Sequence, residues 1–252
     1  RTCEKFSRYE FVDRFRDRNI KYMHIAVQAA DLDEERIDGT RVYVRELLNR
    51  LGAMDRSDVW DIIHRRAFYP QLRPRHYANY RDVKIPFPFL WTYTRLGWEL
   101  SRLQPDRLFV PLHSLPITIP KRTQAIVTIH DTAFEQFKDC FPAIQRHKLQ
   151  LLTRDCVRRA DRIIAISEST KRDIIETYRG VDASKIRVIY HGFDVSGCAD
   201  RVGSGAWQPR KNLVRLVESF ARIKDRYSDA QLVLAGPRAW MWEETERAVE
   251  KS

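Results

Sequence analysis

Residues 124–137 read QAIVTIHDTAFEQF, and this stretch decides the fold prediction. Its apolar run, residues 125–129, is too short for a helix and rich in β-branched side chains, which predicts a strand buried on both faces of a parallel sheet. His130 and Asp131 follow directly. Ligands of open α/β sheets bind outside the carboxyl ends of the strands, so this polar pair is a candidate site. The structural alternative is a hydrogen-bonded loop histidine, with Asp131 capping the next segment.

Composition indicates a globular protein with anionic partners. The 252 residues are 43% hydrophobic, which suits one large or two small domains. Lys and Arg number 45 against 34 Asp and Glu, and the net charge of +11 favours phosphates, nucleic acid or anionic lipid. The four cysteines are widely spaced without a CxxC pair, which predicts neither a zinc site nor a disulfide framework and favours a reducing cytosol.

No apolar run approaches the roughly 20 residues that a membrane-spanning helix needs. We therefore expect a cytoplasmic protein. If it associates with a membrane, we expect peripheral contact at the inner face. A predicted helix over 143–160 bears on this contact. Its expected outward side chains are basic: Arg146, His147, Lys148, Arg154, Arg158 and Arg159. Such a face is ordinarily solvated, and adhesion to anionic lipid headgroups is the alternative.

Strand and helix patterns alternate from residue 22 to residue 190. This alternation predicts a doubly wound parallel sheet, because parallel strands need crossover helices. Predicted strands are 22–27, 59–64, 108–112, 125–129, 162–166 and 186–190. Helices are predicted over 39–51, 91–103 and 143–160, and a fourth ends at Tyr178. Gly52 is predicted to end the first helix, and Ser167 or Ser169 to cap the fourth. The aromatic side chains of the helix 91–103 are expected in the core. Residues 67–88 are predicted to form a long connecting loop.

Two further segments carry candidate groups. Gly39 and Thr40 open the first helix, where free backbone N–H groups can hold an anion and Gly39 would let a phosphate approach closely. An ordinary turn glycine is the alternative. His113 follows the strand 108–112, in a loop that Pro111 and Pro116 make rigid; a purely structural role there makes it a weaker candidate than His130.

The character of the chain changes after residue 194, where a Gly- and Ser-rich stretch predicts a hinge. QPRKNL, residues 208–213, then places Arg210 and Lys211 at a predicted helix start. Two cations are unfavourable there unless an anion is bound, which makes this a phosphate-site candidate. A strand over 231–235 and a helix over 243–251 complete the pattern. Predicted domains are an N-terminal extension (1–19), a Rossmann-like domain (20–195), a hinge (196–207) and a partial second domain (208–252).

Six segments together resemble the family four retaining glycosyltransferases, whose GT-B fold has two Rossmann-like domains, and especially the mannosyltransferase-like members linked to polysaccharide biosynthesis. The segments are RIDGTRVYVRELL (36–48), VTIHDTAF (127–134), RRADRIIAISESTKRDI (158–174), KIRVIYHGFD (185–194), QPRKNL (208–213) and LVLAGP (232–237). The resemblance implies that a sugar moves, with retention, from a nucleoside-diphosphate sugar to a glycan or lipid-linked acceptor. Residues 20–195 would be the acceptor-side domain and 208–252 part of the donor-side domain.

The resemblance also assigns roles to residues. His130 would lie near the donor sugar as the catalytic residue, Gly39 near the donor diphosphate, and Lys211 with Arg210 on the pyrophosphate. Thr40, Asp131 and His113 would belong to the cleft. No metal and no cofactor are expected, so cationic side chains and helix N-termini would stabilise the leaving nucleoside diphosphate.

Two departures from the family pattern qualify this expectation. Only residues 201–207 stand where the family has a full strand before QPRKN, and the family's paired glutamates are absent. Glu243, Glu244, Glu246 and Glu250 lack the glycine-rich loop of that motif. We therefore expect a truncated donor-side domain and no sugar transfer by this chain alone. Alternatives are a non-catalytic fragment or subunit needing a separate C-terminal half, and a basic nucleic-acid-binding module. No nucleic-acid recognition motif is present, so no nucleic-acid partner is expected.

Overall fold

The computed structural model describes residues 22–87, 90–192, 206–227 and 230–252. The predicted N-terminal extension and the hinge residues up to 205 lie outside these ranges. Within them the strands are β1 (His24–Gln28), β2 (Val59–His64), β3 (Tyr80–Lys84), β4 (Arg107–Val110), β5 (Gln124–Ile129), β6 (Arg162–Ala165) and β7 (Ile186–Val188). The helices are α1 (Gly39–Met54), α2 (Arg95–Leu103), α3 (Ala133–Gln136), α4 (Ala143–Arg159), α5 (Glu168–Thr177), α6 (Leu213–Ala221) and α7 (Glu243–Glu250).

The seven strands form one parallel sheet in the order β3-β2-β1-β4-β5-β6-β7. Interleaved helices connect them, which confirms the predicted α/β class. Strand order reverses between β1 and β4, which are neighbours in the sheet but are separated in sequence by β2 and β3. In open α/β sheets, ligands bind outside the carboxyl ends of the strands, near such a reversal of strand order. The turns that follow β1 and β4 lie at this position in the sheet.

Central strands are buried because helices cover both faces of a parallel sheet. All six residues of β2 are buried, including the charged Asp61, which is fully inaccessible to solvent. One carboxylate oxygen of Asp61 lies 2.7 Å from His24 Nε2, and the other accepts from Arg81 Nε at 2.5 Å. Burying a charge is costly unless it is paired, so these two partners are what permits an acidic residue inside β2.

Gly52 does not end the first helix, so that prediction was wrong. Helix α1 continues to Met54 and ends where the N–H of Asp55 donates to the carbonyl of Leu51. A Cβ atom added at Gly52 would lie 2.2 Å from the ring of Tyr77, so the glycine is required by close packing rather than by a left-handed turn. The N-terminal end is as predicted, with Asp38 accepting from the N–H of Arg41.

The predicted loop 67–88 was also wrong, because it contains a 3-10 turn (Pro70–Leu72) and the edge strand β3. Only Tyr80 and Val83 of β3 are buried, and its other side chains are polar. The helix predicted from residue 91 begins later, at Arg95. Trp91 is in the core as expected, whereas Trp98 is 54% exposed, with the guanidinium carbon of Arg95 lying 4.2 Å from its ring centroid.

The described chain forms two compact units. The first comprises the described residues up to Val127 together with Ala160–Arg162, and the second comprises Thr128–Arg159 and Ile163–Ser252. Within the second unit, Trp240 Nε1 donates to the carbonyl of Cys140 at 2.6 Å, and the indole packs on Phe141 with ring centroids 5.4 Å apart. The predicted domain boundary at residue 195 stays a prediction.

The last segment of the second unit differs from expectation in two places. Pro209–Lys211 form a 3-10 turn, Asn212 is left-handed with φ of 54°, and α6 begins only at Leu213. No strand forms over 231–235, where Val233 is 62% exposed; the isolated bridge between Trp207 and Arg238 is the β pairing of this described segment. None of the described helices is long and apolar enough to cross a membrane.

Candidate functional site

His130 lies where it was predicted, immediately after the carboxyl end of β5. The residue is half-buried, and its carbonyl accepts a hydrogen bond from Thr170 Oγ1 at 3.3 Å. Asp131 is exposed, and its Oδ1 accepts from the N–H of Ala133 at 3.1 Å. Asp131 thus caps the segment that follows it, as the structural alternative for this residue predicted. Anchoring of both the His130 carbonyl and the Asp131 side chain fixes the turn that carries the His130 ring.

His191 is a second histidine of this region that sequence reasoning did not single out. It follows β7, and its ring packs edge-on against that of His130 with centroids 5.5 Å apart. Partial burial lowers the pKa of His191, which favours the neutral ring at pH 7. A neutral imidazole offers one donor and one acceptor. The signal was present, because His191 follows a predicted strand just as His130 does.

Hydroxyl groups complete this edge of the second unit. Ser167 follows β6 and caps α5 by accepting from the N–H of Thr170 at 3.1 Å, which settles the choice between Ser167 and Ser169. The hydroxyl of Thr132 is buried and, within the described residues, has no hydrogen-bond partner. The turns after β5, β6 and β7 therefore bring imidazole and hydroxyl groups to the same end of their strands, and such groups suit hydrogen bonding to a sugar.

The start of α1 belongs to the first unit. A Cβ atom at Gly39 would meet nothing within 4 Å, so the backbone there is open to an approaching group, and Thr40 beside it is half-buried. Asp38 already occupies part of this helix end through its bond to the N–H of Arg41, and the Arg41 guanidinium pairs with Asp38 and Glu34. An incoming phosphate would bind beside these carboxylates, and Arg36 and Arg41, which both pair with Asp38, are compensating charges there.

Gln28, at the carboxyl end of β1, was not predicted as a site residue. Its side chain is buried, and its Nε2 donates to Asp31 Oδ2 at 3.2 Å. The amide oxygen has no hydrogen-bond partner among the described residues. Burial raises the pKa of Asp31 beside it. An unpaired buried acceptor is costly, so Gln28 Oε1 is a point where a ligand donor would be accepted.

His113 lies in the turn after β4, half-buried between Pro111 and Pro116, also within the first unit. The segment from Pro111 to Pro116 forms neither a helix nor a strand, and its rigidity stays a prediction. A cleft role for His113 stays a prediction, as do the roles of Gly39 and Thr40.

Arg210 and Lys211 are exposed in the 3-10 turn that precedes α6. Neither forms an ion pair with a carboxylate in the described part of the chain. A cavity of about 270 Å³ beside this turn is lined by Glu218 and Glu244 as well as Arg215. Because two carboxylates would repel a phosphate, an anion held by Arg210 and Lys211 would lie outside this cavity. No three His, Cys, Asp or Glu side chains within the described ranges converge to hold a metal ion.

Comparison with known proteins gives one match to a protein family. Residues 37–196 match the family described as Glycosyltransferase Family 4, which covers more than half of the chain. The chain belongs to glycosyltransferase family 4. A comparison with curated proteins found no match.

The range matched to glycosyltransferase family 4 contains most of the candidate groups. It includes Gly39, Thr40, His113, His130, Asp131 and His191, whereas Gln28, Arg210 and Lys211 lie outside it. A glycosyltransferase must hold a sugar by its hydroxyl groups and stabilise the charge of a leaving phosphate. The histidines and hydroxyls of the second unit suit the first task, and the cations of the 208–213 segment suit the second.

Proposed function

We propose that this family 4 chain takes part in transferring a sugar from a nucleoside-diphosphate sugar to a glycan or lipid-linked acceptor, with retention at the anomeric carbon. The observation that carries the proposal is the position of His130. It follows the carboxyl end of β5, has its backbone anchored by Thr170 and its ring packed on His191, and lies inside the family match.

His130 is the residue proposed to position the donor sugar. A ring held at a strand end can hydrogen-bond a sugar hydroxyl or oxygen without reorganising. Polar groups that are already in place stabilise a transition state most effectively. Gly39 would admit the donor diphosphate at the start of α1. Lys211 and Arg210 would neutralise the pyrophosphate as the bond from the anomeric carbon to its oxygen breaks. This role of the cations makes a metal ion unnecessary in the proposal.

The finer assignments follow from the resemblance. A hexose donor, a mannosyltransferase-like activity and a role in polysaccharide biosynthesis are proposals of this kind. A cytoplasmic location at the inner face of the membrane stays a prediction.

The test is calorimetry of the chain with a panel of nucleoside diphosphates and the corresponding nucleotide sugars. The proposal expects the sugar to add affinity, and expects His130→Ala to remove that increment, about three- to tenfold, while leaving nucleoside diphosphate binding unchanged. His76→Ala is the matched control, since His76 is an exposed loop histidine of the first unit. Absence of binding by the whole panel, or an unchanged increment in His130→Ala, would refute the proposal.

Because no sugar transfer is expected of this chain alone, transfer is assayed after addition of a separate C-terminal half, with the same nucleotide sugars and with glycan or lipid-linked acceptors. The configuration of the new glycosidic bond, read from the proton coupling of its anomeric carbon, reports retention or inversion. An inverted product would contradict the retaining mechanism while leaving nucleotide-sugar binding intact.

A further inference from the structure

A cavity of about 520 Å³ lies in the second unit, away from the histidines described above. Its lining joins the last turns of α4 to the segment that leaves α5 and enters β7. These segments lead into β6 and β7, so the cavity is at the amino ends of those strands. His191 follows the opposite end of β7. The cavity is therefore separate from the site proposed for sugar transfer.

The lining of this cavity is strongly basic. Arg154, Arg158, Arg179 and Lys185 contribute cationic side chains, and Asp182 contributes the single carboxylate of the lining. Both oxygens of Asp182 are engaged in the cap of the following turn, accepting from the N–H of Ser184 at 2.9 Å and from its hydroxyl at 2.8 Å. Formal charge on the lining side chains is thus dominated by cations.

Among the described residues, all three arginines of the lining are unpaired, and they converge on one cavity. Arg154, Arg158 and Arg179 are exposed and have no carboxylate partner in the part of the chain that the structure describes. Other arginines form ion pairs, such as Arg41, Arg65 and Arg159. Arg172 and Arg222 are also unpaired within the described ranges but do not line this cavity. Arg154 and Arg158 are also four residues apart on α4, where like charges face one another and destabilise a helix.

Helix ends account for only part of this charge. Arg158 lies in the last turn of α4 and Arg179 just follows α5, so both are favoured by the negative ends of these helices. That effect falls off within one turn, and Arg154 lies farther back in α4. The charge at helix ends also does not explain why side chains from α4 and from the end of α5 line one cavity. Tyr178 in the wall turns its hydroxyl away to Glu135, at 3.0 Å, so the cationic groups set the chemistry of the cavity.

We propose that this cavity binds a phosphate-bearing ligand through Arg154, Arg158 and Arg179. Guanidinium groups offer forked donors that match phosphate oxygens, and the contacts are charge-assisted. The ligand supplies the negative charge that the described protein groups do not. A phosphorylated small molecule and the headgroup of an anionic phospholipid present the same chemistry here. The inference goes beyond the proposed function and does not depend on it, because none of its residues belongs to the sugar site.

The first experiment is calorimetric titration with inorganic pyrophosphate. Lys211→Ala serves as the background, so that the proposed donor site contributes little. In this background we compare the cavity variant Arg154→Gln/Arg179→Gln with the control Arg172→Gln/Arg222→Gln, which removes two charges from exposed positions of the same unit. The cavity variant should lose at least about tenfold in affinity, and the control less than about twofold.

The second experiment separates the two sources of phosphate. Co-sedimentation is measured with phosphatidylcholine vesicles prepared with and without phosphatidic acid. Binding to the phosphatidic acid vesicles that is lost in the cavity variant and kept in the control identifies a lipid headgroup. Vesicle binding that is absent, or equal in both variants, identifies a free phosphorylated ligand, provided that pyrophosphate binding is lost in the cavity variant.

Two results would overturn the proposal: pyrophosphate affinity and vesicle binding that are both equal in the cavity and control variants, or no binding of either probe by the unmodified chain. Thermal melts of all variants establish that they fold. Arg158→Gln is the fallback if the double variant unfolds, and it should weaken pyrophosphate binding in the same direction.

Discussion

The ring of His191 packs edge-on against the ring of His130, at a centroid distance of 5.5 Å, and thereby joins the turns that follow β7 and β5. The contact covers part of the His191 ring. The contact makes the ionisation of His191 a readout of the geometry around His130, and the first prediction uses it.

His191 should titrate with a midpoint below its ordinary value of 6.5, because partial burial disfavours the charged ring. Proton NMR of the ring as a function of pH measures this directly. His130→Ala should move the midpoint back towards 6.5, since it uncovers the His191 ring. A midpoint at or above 6.5 in the unmodified chain would contradict the prediction.

The same shift predicts a pH dependence of stability. A lowered pKa in the folded state means that the unfolded chain binds more protons at pH values between the folded pKa and 6.5. The folded state should therefore lose stability as the pH falls through this window, with no contribution above 6.5. Melting temperatures of the unmodified chain should fall more steeply over this window than those of His191→Gln, and parallel curves would count against it.

Gly39 and Gly52 should respond in opposite ways to substitution by alanine. At Gly39 a Cβ atom meets nothing within 4 Å, so Gly39→Ala should change the unfolding free energy by less than about 1 kcal/mol. At Gly52 it would enter the ring of Tyr77, so Gly52→Ala should cost about 1–3 kcal/mol. Denaturant titration measures both.

Gly39→Ala has a second, functional outcome. If a phosphate approaches the backbone at this helix start, the methyl group will obstruct it, and nucleoside diphosphate affinity will fall while stability does not. Calorimetry with the ligand panel measures this. Unchanged affinity in a normally stable Gly39→Ala chain would remove Gly39 from the diphosphate site.

Lys211→Ala should weaken binding of nucleoside diphosphates and of nucleotide sugars alike, by about tenfold or more, because a charge-assisted contact to phosphate contributes about 1.5–3 kcal/mol. Lys121→Ala is the matched control. Lys121 is an exposed lysine that precedes β5, at the opposite end of the strand from His130. Equal losses in the two variants would mean that net charge, rather than a specific contact, accounts for the effect.

Asp61 should be far more important for stability than a surface carboxylate. Replacing it by alanine leaves His24 and Arg81 without their shared partner inside the sheet, which should cost about 3 kcal/mol of unfolding free energy. Asp155→Ala breaks a partly exposed pair with Arg159 and should cost less than about 1 kcal/mol. Comparable losses in the two variants would show that the Asp61 cluster is not a stabilising element.

Buried strands were predictable because their apolar runs identify them without reference to neighbours. Edge and isolated segments were not. Strand β3 has only Tyr80 and Val83 as buried residues and depends on β2 for its hydrogen bonds, so its sequence looked like a loop. The apolar run 231–235 has strand propensity but, among the described residues, no strand to pair with. Whether a segment forms a strand depends on the neighbouring strand with which it pairs, and the sequence of one segment does not identify that neighbour.

Site prediction divided along similar lines. His130 was found because a polar residue interrupts an apolar run, and that signal is local. The partners that fix its turn, Thr170 and His191, come from elements after β6 and β7 and are identifiable only from the fold. The arginines of the basic cavity were predicted as an outward helix face, but their convergence with Arg179 depends on how α5 ends, which no periodicity reveals.

The contact of Trp240 with the Cys140 carbonyl joins residues 100 positions apart. Closing so long a loop carries a large entropic cost, so the contact should form late in folding, after the strands and helices between its ends have shortened the distance. Its breaking should correspondingly be an early event in unfolding, detectable as a change in indole fluorescence before the parallel sheet is lost. The segment after residue 206 is thus expected to be the kinetically weakest attachment of the second unit.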